Sequence, residues 1–229
     1  MQAPPHSNSY FYDYKEHHSI HLLAYIDAYK KFIIVEIGAA GRQSNGVFNN
    51  SKTGQMIMNH QLNIPPPQPL VPGGCKLPYI FLGDEAFGLS EFTLTSYPRS
   101  SKLDMKKKVL NYRQSRARRI VECGFGRFVK VWQLFDSRVK ISLPTLLESV
   151  KACVCLHNFI IMKDSSSNKK TEPTSNTQQC EDLEENLYLF KSDRARQVAA
   201  VRMRDCFADY FMNEGAVPFQ WKKANNADF

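Results

Sequence analysis

The chain has 229 residues, 43% of them hydrophobic and 12% aromatic, which is enough apolar material for a buried core and too much for wholesale disorder. Its net charge is +8 at pH 7, and no apolar run approaches the roughly 20 residues that a bilayer span needs. The opening "MQAPPHSNSYFYDYKEHHS" has no basic segment followed by an apolar one, so no signal peptide is expected and the cytosol or nucleus is the expected compartment.

In chain order, residues 18–27 ("HSIHLLAYID") and 31–37 ("KFIIVEI") are apolar runs rich in β-branched and aromatic residues, and the short "DAYK" reads as the turn of a β-hairpin. Residues 38–46 read as a loop, and a helix is expected to begin in "VFNNSKTGQMIMNHQLN". The prolines of "IPPPQPLVPGG" (64–74) fix φ and lack donors, so a surface loop is expected there. "LPYIFLGD" (77–84) reads as a third strand, nearly all apolar and therefore an inner one covered on both faces.

A helical pattern runs from about Leu103 to Trp132, with Val121, Phe125, Phe128 and Trp132 on one stripe. Gly124 and Gly126 weaken that pattern. "LPTLLESVKACVCLHNFIIM" (143–162) reads as a second, core helix with Pro144 tolerated near its start. Residues 163–180 have linker composition, and 181–229 read as a C-terminal helical extension packing back on the domain. Together the pattern predicts an α/β architecture with a mixed sheet.

The six cysteines (Cys75, Cys123, Cys153, Cys155, Cys180, Cys206) form no paired CxxC spacing and read as free, buried thiols in a reducing compartment. His17, His18 and His21 sit at a strand entry without a matching cysteine or carboxylate pattern, which argues against a zinc site. The positive charge is concentrated. Residues 99–130 hold eleven Lys/Arg against Asp104 and Glu122, so essentially the whole basic excess lies in one segment. Such a face suits a polyanion, although a solvated helix surface has the same composition.

Two acids stand out by placement. Asp84 follows a short apolar run, where a carboxylate either forms a turn or faces a metal. Glu122 lies four residues after Arg118, so a surface ion pair is the plain structural expectation. The functional alternative joins it to Asp84 around a divalent cation, as in two-metal phosphodiester chemistry.

The stretches "YFYDYKEHHSIHLLAYIDAYKKFIIVEIGAAGRQS", "YIFLGDEAFGLS", "NYRQSRARRIVECGFGRFVKVWQLF" and "ACVCLHNFI" resemble the DDE endonuclease domain of PIF/Harbinger transposases and the nuclease-like proteins derived from them. The resemblance covers roughly residues 8–162, and the tail "ADYFMNEGAVPFQW" is similar to the C-terminal end of insect-type members. It implies an RNase H-like fold in which three acids bind Mg²⁺ or Mn²⁺ to cleave DNA, with residues 1–162 a partial DDE endonuclease domain. Asp84 matches the second acid and Glu122 the third. Lys106, Lys107, Lys108, Arg116, Arg118 and Arg119 are the expected DNA-backbone contacts, positioning phosphates rather than reading bases. A nuclear location is implied, as is a separate DNA-reading partner protein.

The chain departs from the family pattern in two places. The first acid, borne by the central strand just before the stretch corresponding to residues 1–12, has no counterpart, so an N-terminal truncation with an impaired centre is expected. Asp13 lies in a loop and Asp27 is the hairpin-turn residue, and neither replaces it. Asn45 and Gly46 stand where members commonly have an aspartate followed by two glycines; an amide ligates metal weakly and cannot act as a base. A catalytically inactive module that still binds nucleic acid or protein is the alternative expectation.

Overall fold

A computed structural model describes residues 9–13, 16–40, 47–59, 61–74, 76–98, 103–135, 139–167 and 193–226. The chain divides into two compact units, Met1–Asn63 with Ser115–Asp164, and Ile64–Gln114 with Ser165–Phe229. Asn45, Gly46, Cys75, Cys180 and most of the expected linker lie outside the described residues.

The first unit is built on the expected hairpin, β1 (Ile20–Ile26) and β2 (Phe32–Ala40), paired antiparallel with irregularities at His21/Leu22 and Tyr25/Ile26. Asp27 makes the turn: its Oδ1 accepts from the amides of Tyr29 and Lys31 at 2.8 Å each, and Lys30 takes φ 71°. Short helices α1 (Val47–Asn50) and α2 (Lys52–Met58) follow. The long helices are α3 (Met105–Val131), whose Ser115–Val131 part belongs here, and α4 (Leu143–Ser167). Phe32, Phe128 and Val154 form the core with Leu22, Ile26, Val35, Phe125 and Trp132 around them, so three of the four residues of the expected α3 stripe serve as predicted.

Helix α3 is continuous through both glycines. Gly124 is buried, and a Cβ there would come 3.1 Å from Cδ1 of Ile26, so the missing side chain lets the hairpin lie close against the helix.

Helix α4 runs further than expected, to Ser167, into the start of the expected linker. Its stretch Leu143–Asp164, with mean hydropathy 1.4, is long and apolar enough to cross a membrane by length and composition, contrary to the reading of the apolar runs. One face is buried, at Leu146, Val150, Val154, His157 and Ile161, while Leu156, Phe159 and Met162 are exposed.

Glu36 of β2 ties the hairpin to α2. Its carboxylate accepts from the backbone amides of Lys52, at 2.9 Å, and Thr53, beside the Ser51 cap of that helix. Burial alone would raise the Glu36 pKa, but hydrogen bonds from Thr53, Lys52 and Ser51 outweigh it and hold the group below the usual carboxylate range. A depressed carboxylate contributes stability that is present above the unfolded pKa, near 4.3, and is lost as pH falls through the folded value. Glu36→Gln is therefore expected to lower the urea midpoint at pH 7, with the gap to the unaltered chain closing below about pH 4.

The second unit carries short strands only. β3 (Gln68–Pro69) pairs antiparallel with β4 (Lys76–Leu77), and β5 (Phe81–Leu82) pairs parallel with β6 (Thr93–Leu94). The described strands thus form three two-stranded sheets rather than one mixed sheet, although the α/β class holds. The expected inner strand 77–84 is correspondingly broken. Pro78 lacks a donor, Tyr79 and Leu82 are exposed, and the chain leaves regular pairing at Gly83. The proline-rich segment is loop apart from the two-residue ladder at Gln68–Pro69.

The C-terminal helices α5 (Asp193–Met212) and α6 (Gln220–Asn226) belong to this unit. Met203, Phe207 and Ala208 of α5 share a core with Leu77, Leu94, Tyr97 and Leu110. Tyr97 donates its hydroxyl to Asp205 at 2.5 Å, and the Arg204 guanidinium stacks 4.0 Å over its ring. Burial, with Asp205 adding to it, pushes the Tyr97 hydroxyl well above its ordinary pKa.

The thiols correct the sequence reading. Cys123, Cys153, Cys155 and Cys206 are free as expected, but Cys123 and Cys155 are exposed because they occupy outward helix positions.

Candidate active-site acids and the basic helix

Asp84 sits in the second unit, directly after β5. Gly83, immediately before it, donates its amide to the Leu94 carbonyl at 3.1 Å and accepts at its own carbonyl from Gln114 Nε2 at 2.6 Å. A Cβ at Gly83 would approach Phe87 to 2.9 Å and Thr93 to 3.0 Å, so only glycine fits without a shift. The Asp84 side chain then caps a single 3₁₀ turn, Glu85–Phe87, with Oδ1 accepting from the Ala86 amide at 3.0 Å. Gly88, at φ 71°, ends the turn. The turn-forming role expected of this aspartate is present, and the carboxylate is exposed.

Glu122 lies on the part of α3 that belongs to the first unit. Its Oε1 is 3.0 Å from Nη2 of Arg118, the ion pair expected from the i, i+4 spacing. Glu122 is 59% exposed, so the pair is a surface one worth about 0.3–0.5 kcal/mol. Asp13 and Asp27 do what their loop positions predict: Asp13 accepts from the His17 amide at 3.1 Å, and Asp27 makes the hairpin turn.

A divalent cation such as Mg²⁺ takes about six oxygen donors. Asp84 and Glu122 are exposed carboxylates, hard oxygen donors of the right kind. They fall short in number, because among the described residues no group of three His, Cys, Asp or Glu side chains gathers to hold an ion.

The cations of α3 divide by what they touch. Lys106 lies 2.7 Å from Asp209, Lys107 is over the Tyr97 ring at 5.7 Å, and Arg113 bonds Gly215 and Gln220 while covering the Phe211 ring at 4.6 Å. Lys106 and Arg113 anchor α3 to the C-terminal segment within the second unit, and Lys107 covers the Tyr97 ring. In the first unit Arg127 pairs with Asp164 at 2.5 Å and Arg118 with Glu122. Arg116, Arg119 and Lys130 point outward, and Lys108 is half-buried.

Sequence reasoning missed a set of buried polar residues within the same motifs. In "NYRQS", Asn111 accepts from the Tyr97 amide at 2.8 Å and donates to the Tyr97 carbonyl at 3.1 Å, while Gln114 holds Gly83 and Ser96. In "CLHNFI", Asn158 makes the same two-bond clamp on Phe32, both at 2.8 Å, and the His157 ring contacts the Lys30 carbonyl at 3.0 Å between the rings of Phe32 and Phe128. The available signal was an amide or imidazole inside an apolar helical run, which is costly unless hydrogen-bonded.

No curated protein and no solved structure matches the chain. A family model described as DDE superfamily endonuclease matches residues 1–158, well over half of the 229, and that stretch contains both acids and the whole of α3. The chain therefore belongs to the DDE superfamily of endonucleases.

Proposed function

We propose that this chain is a nuclease domain derived from a PIF/Harbinger transposase, with an RNase H-like fold, acting on DNA phosphodiesters in the nucleus. The observation that carries the reading is the family match over residues 1–158, because the stretches that resemble PIF/Harbinger members, apart from the C-terminal tail, fall almost entirely inside it. Asp84 and Glu122 stand as the second and third acids, each offering a carboxylate to Mg²⁺ or Mn²⁺. Held there with a further acid, such an ion would supply activation of the attacking water and stabilisation of the leaving oxygen of a phosphodiester. Among the described residues Asp13 and Asp27 serve a loop and a turn and neither takes the place of the first acid, so cleavage by Asp84 and Glu122 alone is impaired. The outward cations of α3 neutralise and position the DNA backbone.

A second reading, a catalytically inactive module that binds nucleic acid, is favoured by the Arg118–Glu122 ion pair, in which the carboxylate already has a cationic partner. Both readings require DNA binding driven by phosphate contacts. With Arg116, Arg119 and Lys130 as contacts, log K for a duplex of random sequence is expected to fall with log[salt] at a slope near −2.7, about −0.9 per phosphate. Absence of duplex binding at low salt, or affinity indifferent to salt, overturns the proposal.

A further inference from the structure

Helix α3 carries a second glycine whose absence of a side chain nothing among the described residues explains. Gly124 is buried against Ile26, but Gly126 is exposed, and a Cβ built there meets no atom within 4 Å among the described residues. Glycine in a helix interior is a poor choice on propensity, and alanine would fit this space without strain. The fold gains nothing from the gap.

The neighbours of Gly126 on the helix surface give the gap a context. Arg116, Arg119, Cys123, Gly126 and Lys130 recur at i, i+3, i+7, i+10 and i+14, a single outward stripe of the first unit. All but the two small residues are cationic, and Glu122, paired with Arg118, is the exposed acid beside them. Arg119 and Lys130 have no acidic partner among the described residues, whereas Lys106, Arg127 and Arg118 are paired with Asp209, Asp164 and Glu122. At about 1.5 Å per residue the stripe spans about 21 Å, the rise of about six base pairs at 3.4 Å each.

We propose that this stripe is the track of a DNA phosphate backbone, and that Gly126 is the point of closest approach between the helix and the strand. The proposal rests on the DNA-binding reading above and narrows it. Arg119 and Lys130 neutralise phosphates on either side, and the bare backbone at Gly126, with the small Cys123 one turn before it, lets the helix axis lie nearer the strand than side chains would permit. Lys106 and Lys107, occupied within the second unit, take no part.

Three single variants of the full chain test this, each assayed for binding to a 20-base-pair duplex by fluorescence anisotropy at several salt concentrations, with thermal melts in parallel. Gly126→Ala is expected to raise the melting temperature by about 2 °C while weakening duplex affinity by about tenfold, the loss of roughly one charge-assisted hydrogen bond. Arg119→Gln and Lys130→Gln are each expected to weaken binding and to make the salt slope shallower by about one. Should Gly126→Ala bind as tightly as the unaltered chain while Arg119→Gln weakens binding, the close approach is overturned and the DNA reading stands. Should the unaltered chain bind no duplex, both fall. Binding of poly-glutamate instead, weakened by Arg119→Gln, would then make the stripe an acidic-protein surface.

Discussion

Asn158→Ala is expected to cost the fold about 3 kcal/mol and to lower the melting temperature by about 6–12 °C. The carboxamide of Asn158 makes two hydrogen bonds to the backbone of one residue, accepting from the Phe32 amide and donating to its carbonyl, both at 2.8 Å. Phe32 begins β2 and is 5% exposed, so water reaches that backbone poorly once the amide is removed. Each stranded buried group costs about 1–3 kcal/mol, more than the net value of the bond itself. The loss spreads further, because Phe32 also packs edge-on against Phe125, Phe128 and His157. Asn158→Asp separates the two bonds. It keeps the acceptor for the Phe32 amide and loses the donor to the carbonyl, so about half the destabilisation is expected, read from urea midpoints at neutral pH. An undiminished stability for Asn158→Asp beside a full loss for Asn158→Ala would show that the volume of the side chain, not its pairing, holds the hairpin to α4.

That clamp also marks where the sequence was legible and where it was not. The hairpin could be read because two β-branched runs flank an Asp-led turn, and local chemistry alone decides such a turn. Helix α3 could be read from one stripe, and Phe125, Phe128 and Trp132 take the core positions it assigned. The third strand could not. "LPYIFLGD" is apolar throughout, but Pro78 and the turn capped by Asp84 leave only Phe81 and Leu82 in a ladder, and an apolar run does not say whether the backbone can pair along its length. Helix α4 overran its expected end because the polar residues after Met162 prolong an already nucleated helix.

The acids illustrate the same division. Placement identified Asp84 and Glu122, and spacing alone gave the Arg118 pair that the structure contains. Charge counting, by contrast, treated the eleven cations of residues 99–130 as one surface. Lys106 and Arg113 serve the packing of α5 and α6 instead, a long-range use that no local pattern encodes, and Lys107 covers the Tyr97 ring. The amides Asn111 and Asn158 were quoted within recognisable motifs without a role, and each proves to fix one backbone residue distant in sequence.

The most direct test of the account is a manganese titration of the full chain followed by calorimetry, repeated on Asp84→Ala and Glu122→Ala. Each variant removes one exposed carboxylate, and melts of the variants separate folding from binding. Asp84→Ala also deletes the cap on a single 3₁₀ turn, costing about 1 kcal/mol, which leaves the chain folded. Glu122→Ala removes only a surface ion pair. The account predicts manganese binding by the unaltered chain that is lost or strongly weakened in both variants. No manganese-dependent heat, or binding that neither substitution changes, would contradict it.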